Sequence, residues 1–206
     1  MVMYMEIGNY FKSKKQKYIC IFLFVFMITC FIVLGNMNFK NDTKDNIKFS
    51  EEFKEVPEDN VFVYKNALEI LDYLEDDAII LFGSKLNDFT GTYASILNES
   101  AKEYGIKKIL YYDFFADRVN NNGNYELIVE KIKPYLYTTD DGRIDINAPM
   151  FLVIKDGEVL YSNTENNFIL GNVSPEEYWN KFNTDLFKET IKTVFEEFIG
   201  VKDDGH

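Results

Sequence analysis

The chain has 206 residues, enough for one domain of ordinary size and a tail, and its 47% hydrophobic and 17% aromatic content can fill a sizeable core. Five of its 22 basic groups and one of its 34 acids lie within residues 1–40, so the remainder carries −16. A surface of that sign repels phosphates and excludes nucleic acid as a partner, and such acidity is commonly a solubility feature.

Residues 18–35 read YICIFLFVFMITCFIVLG, without charge or proline, and Lys12, Lys14, Lys15 and Lys17 precede them. At about 1.5 Å per residue this run reaches about 27 Å, close to the hydrocarbon thickness of a bilayer. The expectation is an uncleaved transmembrane signal anchor, because a cleaved signal peptide has a shorter apolar core and a small-x-small exit site. Cys30 follows Thr29 inside the run, which is not the setting of a lipid-acceptor cysteine. The lysines place residues 1–17 in the cytoplasm and residues 36–206 outside the cell membrane, as a single-pass protein. Both cysteines, Cys20 and Cys30, fall inside the expected span. The exported part therefore has no disulfide, no thiolate nucleophile and no thiolate metal ligand.

Residues 36–59 are polar, with Lys44, Asp45, Glu51, Glu52, Glu55 and Glu58 among them, and read as a linker. A domain is expected over 60–200, followed by a polar tail at 201–206. Residues 60–63 read as a short edge strand. Ala67, Ile70, Leu71 and Leu74 recur at helical spacing and predict a helix over 65–75. Residues 78–97, AIILFGSKLNDFTGTYASIL, then organise the domain. An apolar run breaks at Gly83, a polar loop follows, and Phe89, Tyr93, Ile96 and Leu97 return at helical spacing. This is a buried strand feeding a helix that runs to Tyr104 and stops at Gly105.

Residues 108–114 (KILYYDF) predict a strand, 120–124 a loop, and 125–136 a third helix that Pro134 kinks or ends. Asp140-Asp141-Gly142 fits a turn; the alternating acids and closing glutamate of a calcium loop are missing. Residues 150–155 and 158–162 form a hairpin around Asp156-Gly157. Ser174-Pro175-Glu176-Glu177 is a capping box with proline in the first helical position. A last helix over 184–199 is expected to bury Leu186, Phe187, Ile191, Val194, Phe195 and Phe198. The element order implies an α/β three-layer sandwich whose mixed sheet is parallel first and ends in an antiparallel hairpin.

In that order the chain resembles thioredoxin-fold proteins. The resemblance covers residues 60–198 and rests on three matches: Phe82-Gly83 leading into the loop that normally holds a Cys-x-x-Cys pair, Ala148-Pro149 directly before a strand, and the Asp156-Gly157 hairpin with a closing helix. More narrowly, FG-loop-helix, KKILYYD and AP-MFLVIKDG are similar to thioredoxin-like bacteriocin transport accessory proteins. The resemblance implies that Asn87, Asp88, Phe89 and Thr90 occupy the degenerate Cys-x-x-Cys position, with Asn87 and Thr90 where the cysteines would be. It also implies a cis-proline groove formed by Ala148, Pro149 and Met150.

Thiol–disulfide exchange needs a thiolate attacking sulfur, so dithiol oxidoreductase activity is excluded at Asn87 and Thr90. What the resemblance leaves is a non-catalytic, membrane-tethered peptide- or protein-binding accessory module with no cofactor and no metal, in secreted-peptide export, maturation or immunity. Within it, Phe89 is either an apolar contact or a core residue. Two other classes stay open. One is an acidic metal-buffering or structural ectodomain. The other is a non-thiol hydrolase built on a pair from Asp113, Asp117, Asp141 and Asp145. The sole histidine, His206, ends the chain and offers no Ser-His-Asp arrangement.

Overall fold

Residues 78–83 are buried at every position, and the described strands and helices of the domain are arranged around them. The computed structural model describes residues 18, 20–27, 44–138, 142–163 and 173–200. It divides into two units, residues 1–43 and 44–206. In the second unit helix α1 covers residues 44–52. It is followed by β1 (Phe62–Tyr64), α2 (Ala67–Tyr73), β2 (Ala78–Gly83), α3 (Phe89–Glu103), β3 (Ile109–Asp113), α4 (Phe115–Val119) and α5 (Gly123–Ile132). A 3-10 turn, Lys133–Tyr135, leads to β4 (Tyr137–Thr138), β5 (Ile144–Asp145), β6 (Met150–Lys155), β7 (Glu158–Ser162), α6 (Pro175–Tyr178) and α7 (Lys181–Ile199).

The fold is mixed α/β, with a five-stranded sheet in the order β1-β3-β2-β6-β7. β1, β3 and β2 run parallel, and β6 and β7 continue the sheet antiparallel. Alternate side chains of a strand face opposite ways, so β2 supplies two cores at once. Ile79 and Leu81 join Tyr111, Phe151 and Val153 on one face, covered by Phe49, Tyr93, Leu97, Ile191 and Phe195. Ile80 and Phe82 join Leu110, Tyr112 and Leu152 on the other, covered by Ala67, Ile70, Tyr125, Ile128 and Ile132. The expected three layers are thus α1, α3 and α7 over one face and α2 and α5 over the other. The Asp156-Gly157 hairpin turn has positive φ at both central residues, 54° and 76°, the geometry that Asp-Gly favours. The capping box expected at Ser174 and Glu177 is formed.

Several expectations need correction. Among the described residues no helix is long and apolar enough to cross a membrane. Residues 18 and 20–27 are helical, but nine helical positions reach about 14 Å, less than half of a bilayer core. Residues 28–35 lie outside the described residues, as do the acidic turn at 139–141 and the tail at 201–206. The transmembrane element of the expected fold class is therefore not found. The tether, the orientation and the extracytoplasmic placement lose the support that rested on it.

The expected linker also contains structure. Phe49, Phe53 and Val56 are almost fully buried, because their spacing of four and three residues puts them on one side of α1 and its exit. The Phe49 ring stacks on Phe62 at 4.2 Å and meets Tyr111 edge-on at 4.9 Å. The expected third helix is shorter and is preceded by α4, which sequence periodicity missed because its five residues are too few to show a period. β4 and β5 pair as a separate two-stranded sheet. On α7, Ile191, Val194 and Phe195 are buried, Phe187 and Phe198 are partly so, and Leu186 is 53% exposed.

Phe49→Ala is expected to destabilise the chain by about 3–5 kcal/mol, the range for a buried aromatic ring. A denaturant melt that shifts no more than a surface substitution would return this segment to linker status.

Candidate functional site

The parallel strands β2 and β3 end together, Phe82 facing Tyr112 and Gly83 facing Asp113. The antiparallel β6 starts at the same end, with Met150 opposite Phe82. The loop from β2 to α3 and the loop before β6 therefore meet at one edge of the sheet.

The first loop is held by its own hydrogen bonds. Asn87 N donates to Ser84 O and Thr90 N to Asn87 O, both at 3.0 Å. Leu86 N donates to Ser84 Oγ at 3.2 Å, and Ser84 N donates to Thr90 Oγ1 at 3.4 Å. Asn87 Oδ1 accepts from Phe89 N at 3.0 Å, an Asx turn that sets the entry to α3. Asn87 Nδ2 then donates to Ala148 O, also at 3.0 Å, 61 residues away in sequence. The Ala148-Pro149 peptide is cis.

The seven residues singled out from the sequence divide by exposure. Thr90, Pro149 and Met150 are buried, Asn87, Phe89 and Ala148 are half-buried, and Asp88 is exposed. Only the last four present atoms to a partner. Phe89 answers both readings, since it packs against the core and its ring meets Tyr178 edge-on at 6.1 Å. Sequence reasoning missed the Asn87–Ala148 bond. The only signal was an amide residue at a position where the resemblance places cysteine.

Gly83 is required by packing. A Cβ there would lie 2.8 Å from Thr90 Cγ2 and 2.8 Å from Tyr111 Cε2, inside ordinary contact distance. The Tyr111 side chain is fully buried below this turn. Burial pushes its hydroxyl pKa well up, with Asp113 and Glu52 adding to the effect.

Three of the four candidate hydrolase carboxylates are already engaged. Asp117 accepts from Tyr112 Oη at 2.6 Å and from Asn122 Nδ2 at 2.8 Å. Asp145 accepts from Tyr125 Oη and from Ile146 N, and lies 3.8 Å from Arg118 Nη1. Asp113 accepts from Phe115 N at 3.3 Å. Asp141 lies outside the described residues. Each pair ties a helix or loop to its neighbour. Among the described residues no group of three or more His, Cys, Asp or Glu side chains could hold a metal ion.

No protein-family model matches the chain, and no curated protein matches it.

Gly83→Ala is expected to cost about 1–3 kcal/mol through overpacking. A denaturation midpoint unchanged from the parent would show that Thr90 and Tyr111 yield freely. A second expectation concerns alkaline pH. Burial first, and then neighbouring charge, raises the pKa of Tyr93 and Tyr111, so their folded forms keep the proton above the ordinary value of 10.0. Folded protein then binds more protons than unfolded, and stability that is constant below pH of about 10 falls as pH rises beyond it. Tyrosinate absorbance from these residues should appear together with unfolding; its appearance in fully folded protein would contradict the assignment.

Proposed function

We propose that the chain is a thioredoxin-like, non-catalytic module that binds an extended peptide or protein segment at the turn of Asn87, Asp88 and Phe89 and the loop at Ala148. The thioredoxin-like reading is supported by the mixed five-stranded sheet and its helices on both faces. The observation that carries the function is the hydrogen bond from Asn87 Nδ2 to Ala148 O. It joins the two segments expected to form a binding edge, at a sheet end where half-buried polar and aromatic groups meet solvent.

The chemistry available there is recognition. Asn87 donates and accepts hydrogen bonds but transfers no proton near neutrality, and Phe89 offers an apolar face. The Ala148 carbonyl has two lone pairs, of which Asn87 takes one. A peptide N–H laid along this loop takes the other, as in strand addition. The partner class is an exported or secreted peptide, for which this chain acts as an accessory rather than an oxidoreductase.

A titration of the full chain with an extended peptide, followed by NMR, is expected to shift the amides of Asn87, Asp88, Phe89 and Ala148. Asn87→Ala removes the bond that holds the two segments of the edge together. Affinity is then expected to fall by about 2- to 10-fold, the equivalent of one hydrogen bond. Shifts confined to other surfaces, or an affinity indifferent to Asn87, would contradict this reading.

A further inference from the structure

A cavity of about 330 Å³ lies between α3, the end of β7, α6 and α7, within the range of small-ligand sites. It is at the same sheet end as Ala148. Leu152 on β6 faces Ser162 on β7, and Asn163 N donates to Phe151 O at 2.9 Å. The end of β7 therefore sits one strand beyond the start of β6.

Its walls are aromatic: Tyr93, Tyr161, Tyr178, Trp179 and Phe187. Tyr93 and Phe187 pack at 4.6 Å, Trp179 and Phe187 at 5.3 Å, and Tyr93 and Trp179 at 5.9 Å. Asn163 Nδ2 donates to Tyr93 Oη at 3.0 Å and fixes the buried back wall. Among the described residues the remaining lining is neutral, with the amides of Asn163 and Asn183, the hydroxyls of Ser162 and Thr190, and Leu186. No charged side chain is among these lining residues. Tyr178 lines the cavity and also touches Phe89. A chain of contacts thus runs from the Ala148 carbonyl through Asn87 and Phe89 to the cavity wall at Tyr178.

A neutral, aromatic lining admits an apolar group and rejects a charge, which would be buried without compensation. The surroundings have the opposite preference. Asp88 and Glu176 are exposed on the loop and helix that lead to Phe89 and Tyr178; Lys181 and Lys188 on α7 are paired with Asp185 and Glu99, Lys85 is the one basic residue on that loop, and the chain beyond residue 40 carries −16. Such a field favours a cationic partner. We infer that the cavity receives a large apolar side chain of an extended cationic peptide whose main chain lies along Asn87 and Ala148. This rests on the peptide-binding reading above and names the class of peptide.

Trp179 is the only tryptophan of the chain, so its emission reports on the cavity. The full chain is titrated with acetyl-Lys-Lys-Phe-Lys-Lys-amide, with the Phe→Ala peptide, and with the peptide in which glutamates replace the lysines. Groove amides are followed by NMR in parallel. The phenylalanine peptide is expected to change Trp179 emission saturably. The alanine and the glutamate peptides should each bind about tenfold or more weakly. Leu186→Lys adds a charge of the peptide's own sign at a 53%-exposed position of the lining, where folding is not at stake, and should abolish the emission change while groove shifts persist. Groove shifts with no Trp179 response, or equal binding of the alanine peptide, overturn this inference and leave the groove intact. No response at either place overturns both.

Discussion

The bond from the Asn87 amide to the Ala148 carbonyl is the interaction on which the candidate site depends. It closes the gap between two loops that are far apart in sequence, and it forms only because β2 and β6 are neighbours that run in opposite directions. Gly83 is the second requirement. Without a Cβ it lets Thr90 and Tyr111 close over the strand end, and the turn that follows is short enough to aim Asn87 across the sheet. The central strand, its glycine and the amide form one chain of cause from core packing to surface chemistry.

That chain of cause also decides what the site can do. At the two positions where the resemblance to thioredoxin-fold proteins places cysteine stand an amide bonded to backbone and a threonine buried in the fold. Neither is placed to break or form a covalent bond. The carboxylates nearest to an enzymatic role are spent on tyrosine hydroxyls and backbone amides. These bonds anchor α4, α5 and the small β4–β5 sheet. What remains at the sheet end is shape, an aromatic contact with the wall of a neutral cavity, and hydrogen-bonding capacity.

Much of this architecture was legible from local patterns. The apolar run of β2, the Asp-Gly hairpin and the Ser174 capping box each carry their signal within a few residues. α1 was not legible. Its lysines and glutamates dominate the composition of residues 44–55, and three apolar residues at helical spacing are easily read as incidental. Leu186 was misassigned because it continues the apolar stripe of α7. Its face carries Thr190 and borders the cavity, while the buried face is that of Ile191, Val194 and Phe195. Hydropathy overreached at residues 18–35. A run long enough to span a bilayer was taken as a spanning helix, and the described helical residues do not reach that length. The site residues themselves were chosen by resemblance, and their hydrogen bonding was outside the reach of any sequence pattern.

The most direct test of the central claim is site-specific trapping of a bound peptide. In a chain carrying Cys20→Ser and Cys30→Ser, a single thiol is introduced by Asp88→Cys, exposed beside Asn87, or, as a distant exposed control, by Lys107→Cys. Each chain is exposed to a cationic extended peptide containing one cysteine activated as a mixed disulfide, and the rate of cross-linking is measured at equal thiolate reactivity. If the sheet end binds extended peptide, the Asp88→Cys chain cross-links much faster than the control, and excess cysteine-free peptide suppresses the difference. Equal rates in the two chains, unaffected by that competitor, would contradict the account.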